Sequence, residues 1–207
     1  MQNNSAFVRP NLNKHPIVWV DDFLRKSLAY GAIDHSFQME FSRYRYAPQT
    51  LEDSRTEFRL PIDSFRESLI IEYLANLHST EELALHSKIT GFGVELHIPM
   101  VDFGYKGEDP SKSDVLQSFC KYWRMDLAIY SSGRSYHGYG NRLLGKQEWV
   151  KFMGSLLLLN IPGKNKFIDE RWIGHRLLGG YASLRWSNNT SQYKKYPTFC
   201  SQILILK

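Results

Sequence analysis

The chain has 207 residues, of which 43% are hydrophobic and 14% aromatic. That is enough apolar material for a sizeable core, and it excludes intrinsic disorder over most of the length. Lys and Arg outnumber Asp and Glu by 26 to 21, giving a formal charge of +5 and a pI of about 9.1. This excess fits a polyanionic partner, and it also fits an ordinary basic protein. The longest apolar run, Leu156 to Leu159, is far too short to span a bilayer, so no membrane partner is expected. Cys120 and Cys200 form no C-x-x-C pair, so no zinc site is expected, and both read as reduced core thiols. Residues Met1 to Ser5 show no basic-then-apolar leader, which makes a cytoplasmic location the expectation.

Residues 1–15, with Asn3, Asn4, Asn11 and Asn13, read as a flexible N-terminal arm, and 16–207 as a single domain. A first helix is predicted over Asp21–Ala32, with Phe23, Leu24 and Leu28 on one face. Phe37 to Phe41 alternates with period two as a half-buried strand does, and runs on into Arg43-Tyr44-Arg45-Tyr46. Interleaved Arg and Tyr suit a phosphate backbone and stacked bases, although exposed strands carry the same alternation. Ser64 and Glu67 have the spacing of a capping box, opening a helix with Phe65, Leu69, Tyr73 and Leu77 on its stripe. After Gly91 and Gly93, Val94 to Ile98 alternates as a strand, interrupted by Pro99 as on an edge or bulge, with Val101 and Asp102 following.

A helix over Ser111–Arg124 carries Val115, Leu116, Phe119 and Trp123. Leu127–Tyr130 is a short buried strand, Ser131 to Arg134 a turn, and Ser135 to Tyr139 extended. Gln147–Leu159 is a further helical stretch presenting Trp149, Phe152, Met153 and Leu156. A short helix follows Asp169 and runs to Leu178, where Gly179-Gly180 breaks it. Tyr181–Trp186 and Thr198–Leu206 are the last strands. Strands alternating with helices make this an α+β domain, with its polar chemistry on one sheet face.

Four elements stand in order: Asp102 at a strand end, Ser132-Gly133-Arg134-Ser135-Tyr136-His137 at a turn, Ile168-Asp169, and the strand Leu184-Arg185-Trp186-Ser187. This set resembles the archaeo-eukaryotic primase superfamily, and within it the primase-polymerase catalytic domain, over about residues 90–200. The second family motif is a small residue, any residue, then His, after a Gly- and basic-rich turn. The third is an apolar residue followed by Asp, with an Arg-containing strand after it. The resemblance implies an RRM-like mixed sheet flanked by helices. It also implies metal-dependent nucleotidyl transfer from nucleoside triphosphates on a nucleic-acid template, most simply DNA, as in replication or repair. It assigns catalysis to Asp102, His137 and Asp169, and binding of Mg2+ or Mn2+ to Asp102 and Asp169. Phosphate contacts fall to Ser132, Gly133, Arg134, Ser135 and Arg185, and a small stand-alone chain of this kind would work beside partner proteins such as a helicase.

The residue types follow from the chemistry. Hard divalent cations need converging oxygen ligands, guanidinium forks suit phosphate, and glycine lets backbone amides approach it. The first family motif has two carboxylates one residue apart, whereas Asp102 is flanked at that spacing by Met100 and Gly104. Glu95, Asp109 or Glu170 could substitute, though Glu95 lies roughly 23 Å along an extended strand. The alternative is a catalytically degenerate module that holds nucleic acid or nucleotide. Taken singly, Asp169 also reads as a helix cap, His97 and His175 as packing or surface groups, and Trp186 as a core or base-stacking ring. Arg176 is placed near the site, and Tyr193-Lys194-Lys195-Tyr196 reads as a solvated loop or a backbone contact.

Overall fold

The structure, a computed structural model, describes residues 12–45, 47, 50, 51, 54–104, 107–193 and 195–205. The first helix, α1 (Pro16–Ala29), opens at Pro16 rather than at the expected Asp21. Proline at the first helical position has no amide to leave unsatisfied, and the His15 side chain accepts the Ile17 amide at 3.1 Å. Ile17, Val20, Phe23 and Leu24 form its buried stripe. Leu12–Lys14 makes a 3-10 turn with Leu12 buried, so the core takes in part of the segment read as an arm; the rest of that segment lies outside the described residues.

The first sheet is built on β1 (Gln38–Tyr44), β2 (Arg55–Pro61) and the ten-residue β3 (Glu82–Gly91). One edge of β3 pairs with β1, which in turn pairs with β2. The opposite edge of β3 is divided between β4 (Val94–His97) and β9 (Ser183–Arg185). The β3–β4 turn has two residues, Phe92 and Gly93, both at positive φ, which matches the twist of a tight hairpin. At Pro99 the chain leaves this sheet and enters the second as β5 (Met100–Phe103). The second sheet adds β6 (Leu127–Ser131), β7 (Tyr136–Gly140) and β10 (Thr198–Ile203), in the order β10-β6-β7-β5. A short β8 (Leu144–Gly145) closes the first sheet against β4.

The α+β class is as expected, but the single mixed sheet is replaced by two sheets. Every strand pair among the described residues is antiparallel. Tight turns such as Phe92-Gly93 can only join antiparallel strands.

The helices cover these sheets. In α2 (Glu67–Ala75) the expected capping box does not form: Arg66 is the cap residue, and Ser64 sits in a 3-10 turn over Ile62–Ser64. Ile62 and Phe65 are buried there, and the Ile62 amide donates to the Phe37 carbonyl, so the turn is anchored by packing rather than by its hydroxyl. Ser113 caps α3 (Asp114–Trp123), which buries Leu116, Phe119, Cys120 and Trp123 while Val115 faces outward. The helix predicted over Gln147–Leu159 is α4 (Lys146–Leu156), continued by a 3-10 turn through Leu159. The last is α5 (Glu170–Gly179). No helix among the described residues is long and apolar enough to cross a membrane.

Trp186 is fully buried at the centre, donating from Nε1 to the Tyr139 hydroxyl at 3.0 Å, which settles its role as a core ring. His97 is likewise buried, stacked on Trp149 and bonded to Ser87 and Glu95.

Candidate functional site

Three neighbouring extended segments bring the site together. Asp102 lies on β5 directly opposite His137 on β7. On the other edge of β5, Phe103 forms a bridge with Ile168. The Asp169 amide donates to the Asp102 carbonyl at 3.1 Å, and the Gly104 amide donates to the Phe167 carbonyl at 3.1 Å. Asp169, Asp102 and His137 therefore stand in a row across the strands. This row is the reason residues 67 positions apart in the chain can act on one ligand.

Asp169 serves two ends. Its Oδ1 caps α5 by accepting the Trp172 amide at 3.0 Å, as its cap reading requires. Its charge also reaches Asp102. Burial, and then the like charge of Asp169, pushes the Asp102 carboxyl up to about 8, against the opposing pull of Arg185 and Arg176. The His137 Nε2 stands 3.9 Å from Asp102 Oδ1, beyond hydrogen-bond range. Burial, and then Arg185, holds the imidazole well below its usual range, so it is neutral at pH 7.

These residues line a cleft of about 560 Å³ whose walls carry Arg45, Arg55, Arg134, Arg171, Arg176 and Arg185 against the two aspartates. Arg185, from β9, is buried and donates to the carbonyls of Ser132, Ser187 and Lys195. Its face lies 4.0 Å from the Tyr193 ring centre. Its guanidinium is thus a fixed charge in the wall. Arg134 donates to the Gln192 carbonyl at 3.1 Å and Arg171 to that of Thr50 at 3.1 Å. Gly133 has φ +109, a conformation that favours glycine, and Ser135 donates to the Phe103 carbonyl.

All eight predicted site residues except Gly133 line this cleft, and Gly133 lies in the turn between Ser132 and Arg134, which do. Its arginines outnumber those predicted: Arg45 follows β1, Arg55 opens β2 and Arg171 comes from α5. His175 also faces the cleft, a position its spacing did not indicate. Tyr44 and Tyr193 line it too. For Tyr44 and Arg45 the available signal was the alternating Arg-Tyr run. Tyr46 and Lys194 lie outside the described residues.

None of the three substitute carboxylates is here. Asp109 caps a 3-10 turn and accepts from Ser201 at 2.7 Å and from the Ser111 amide at 2.9 Å. Glu95 pairs with His97 and Lys146, and Glu170 with Lys166. Among the described residues, no group of three or more His, Cys, Asp or Glu side chains is arranged to hold a metal ion.

A family model for archaeo-eukaryotic primase 1D-like proteins matches residues 62–198, well over half of the chain. The chain belongs to this family. It is thus a primase-like, nucleic-acid-related domain, and the matched span holds Asp102, His137, Asp169 and Arg185 together. Neither a comparison with curated proteins nor one with solved structures found a match. The residues of this primase-like cleft fit a divalent cation in one respect visible in its structure. Two hard oxygen donors sit close enough for their like charges to disturb each other, and a cation between them would relieve that repulsion.

Proposed function

We propose that this primase-like domain is a nucleotidyltransferase that extends a nucleic-acid strand, DNA in the simplest case, from nucleoside triphosphates. The observation that carries the reading is the pairing of Asp102 with Asp169 at the floor of a cleft lined by six arginines. A triphosphate needs cationic walls, and the arginines provide them. The reacting phosphate also needs oxygen-liganded Mg2+ or Mn2+, which supplies charge stabilisation at the attacking and leaving oxygens. In the reaction a strand's 3′-hydroxyl attacks the α-phosphorus. The new P–O bond forms as the bond to the β-phosphate oxygen breaks, pyrophosphate leaves with that electron pair, and the hydroxyl proton passes to water.

The chain's own residues divide this work. Asp102 and Asp169 are the cation ligands. Arg134, at the edge of the 132–135 turn, and Arg171, at the start of α5, meet the outer phosphates. The buried Arg185 acts through its fixed charge and orders the turn by holding the Ser132 carbonyl at 2.7 Å. Neutral His137 presents an imidazole to a phosphate oxygen without adding charge.

Primer extension on a DNA template, with manganese and with magnesium in parallel, tests the reading. Extension that disappears in Asp169→Ala is expected. Nucleotide binding without any extension would favour the second reading, a binding module that does not polymerise. Gly104, standing where the family's second carboxylate would project, is the observation on that side.

A further inference from the structure

We propose that Asp102 and Asp169 take a single divalent cation per bound nucleoside triphosphate, with the arginine walls carrying the phosphate charge that a second cation would otherwise meet. The inference rests on the nucleotidyl-transfer reading and narrows it. Gly104 follows β5, two residues after Asp102, and both line the cleft. A side chain at 104 is the one that could complete a three-carboxylate floor. A Cβ there would stand 3.3 Å from the Asp169 amide nitrogen and 3.3 Å from both the carbon and the oxygen of the Ile168 carbonyl. Those atoms belong to the segment whose hydrogen bonds to β5 seat Asp169 beside Asp102. A side chain at 104 would therefore require the segment that pairs the two aspartates to give by a few tenths of an ångström. With glycine at 104, the floor of the cleft holds two carboxylates, Asp102 and Asp169.

Two independent features point the same way. His137 lines the cleft directly opposite Asp102, so the wall beside the pair holds an imidazole where another acid would add charge. Six arginines surround the pair, several of them fixed by carbonyl bonds before any ligand arrives. Two carboxylates plus phosphate oxygens and water are a usual ligand set for one magnesium ion. Two ions about 4 Å apart need donors to bridge them and others to hold each one separately.

Electron paramagnetic resonance of the full chain with manganese chloride and a non-transferable α,β-imido deoxyadenosine triphosphate counts the ions. One manganese per bound nucleotide, with an uncoupled six-line spectrum, is expected. Two manganese ions per nucleotide with a spin-coupled spectrum would overturn the single-cation assignment while leaving nucleotidyl transfer standing. No nucleotide binding at all would remove both. Asp169→Asn is expected to weaken manganese in the complex by at least about tenfold. Equal manganese affinity in the variant and the wild type would overturn the placement on the aspartates.

Discussion

Asp169→Asn separates the two roles of one side chain. Asparagine caps helices about as well as aspartate, so the bond to the Trp172 amide survives the change. The variant loses the favourable interaction of a negative charge with the α5 N-terminus, roughly 0.3–1 kcal/mol. It also loses the repulsion that raises the Asp102 carboxyl, which works in the opposite direction. Net stability should therefore change by less than about 1 kcal/mol, whereas Asp169→Ala should cost about 1 kcal/mol through the lost cap. Activity behaves differently. A ligand to a cation that stabilises transition-state charge is worth several kcal/mol, and ~4 kcal/mol corresponds to about a thousandfold in rate. Urea unfolding and single-turnover primer extension on the same preparations measure the two effects. A stable Asp169→Asn protein that extends primers within tenfold of wild type would refute the argument and reduce Asp169 to a helix cap.

Other outcomes follow from the same physics. Burial lowers the pKa of both His15 and His97 to about 4. The unfolded chain binds those protons near pH 6.5, so stability present at pH 7 is lost as the pH falls from about 6.5 to about 4, by up to ~3 kcal/mol for each ring. Equal urea midpoints at pH 7 and pH 4.5 would contradict this. Buried Glu82 accepts from the Ser187 hydroxyl, from the Asn189 and Thr190 amides and from the Thr190 hydroxyl, and so holds the loop that leads to Tyr193. Glu82→Ala should destabilise the fold by about 3 kcal/mol and weaken nucleotide binding, read by denaturant titration and equilibrium binding. Gly104→Ala places a methyl 3.3 Å from backbone atoms of Ile168 and Asp169 and should cost about 1–2 kcal/mol, and an unchanged thermal melt would contradict this.

The motif-bearing half was readable because its signals are local. Ser132 to His137 forms a turn and the start of a strand, Asp169 precedes a helix, and the periodicity of α3 and α4 stands out within short windows. The central strand β3 was not readable. Glu82, His86, Ser87 and Lys88 interrupt its apolar pattern, and Glu82 and Ser87 are satisfied by partners that lie up to 108 positions away. The same long range hid much of the cleft. Arg55 belongs to an edge strand with no recognised pattern, and Arg171 and His175 look like ordinary polar positions on α5. They meet Asp102 only because the two sheets and α5 converge at the end of β5. The missing carboxylate was visible in the sequence, but the crowding at position 104 was not. No pattern of residue types reports that the Ile168 carbonyl stands 3.3 Å from where a Cβ at 104 would be. Ser64 and Glu67 show the opposite failure, a valid local spacing overridden by the burial of Ile62 and Phe65.

The most direct test of the central claim is transfer of α-phosphate label from a deoxynucleoside triphosphate to the 3′ end of a templated primer, measured with the chain in stoichiometric excess over primer and with manganese present. The cleft geometry predicts template-directed, single-nucleotide steps that vanish in Asp102→Asn and in Asp169→Asn. A primer of unchanged length with the wild-type protein, or extension that persists in both variants, would contradict it.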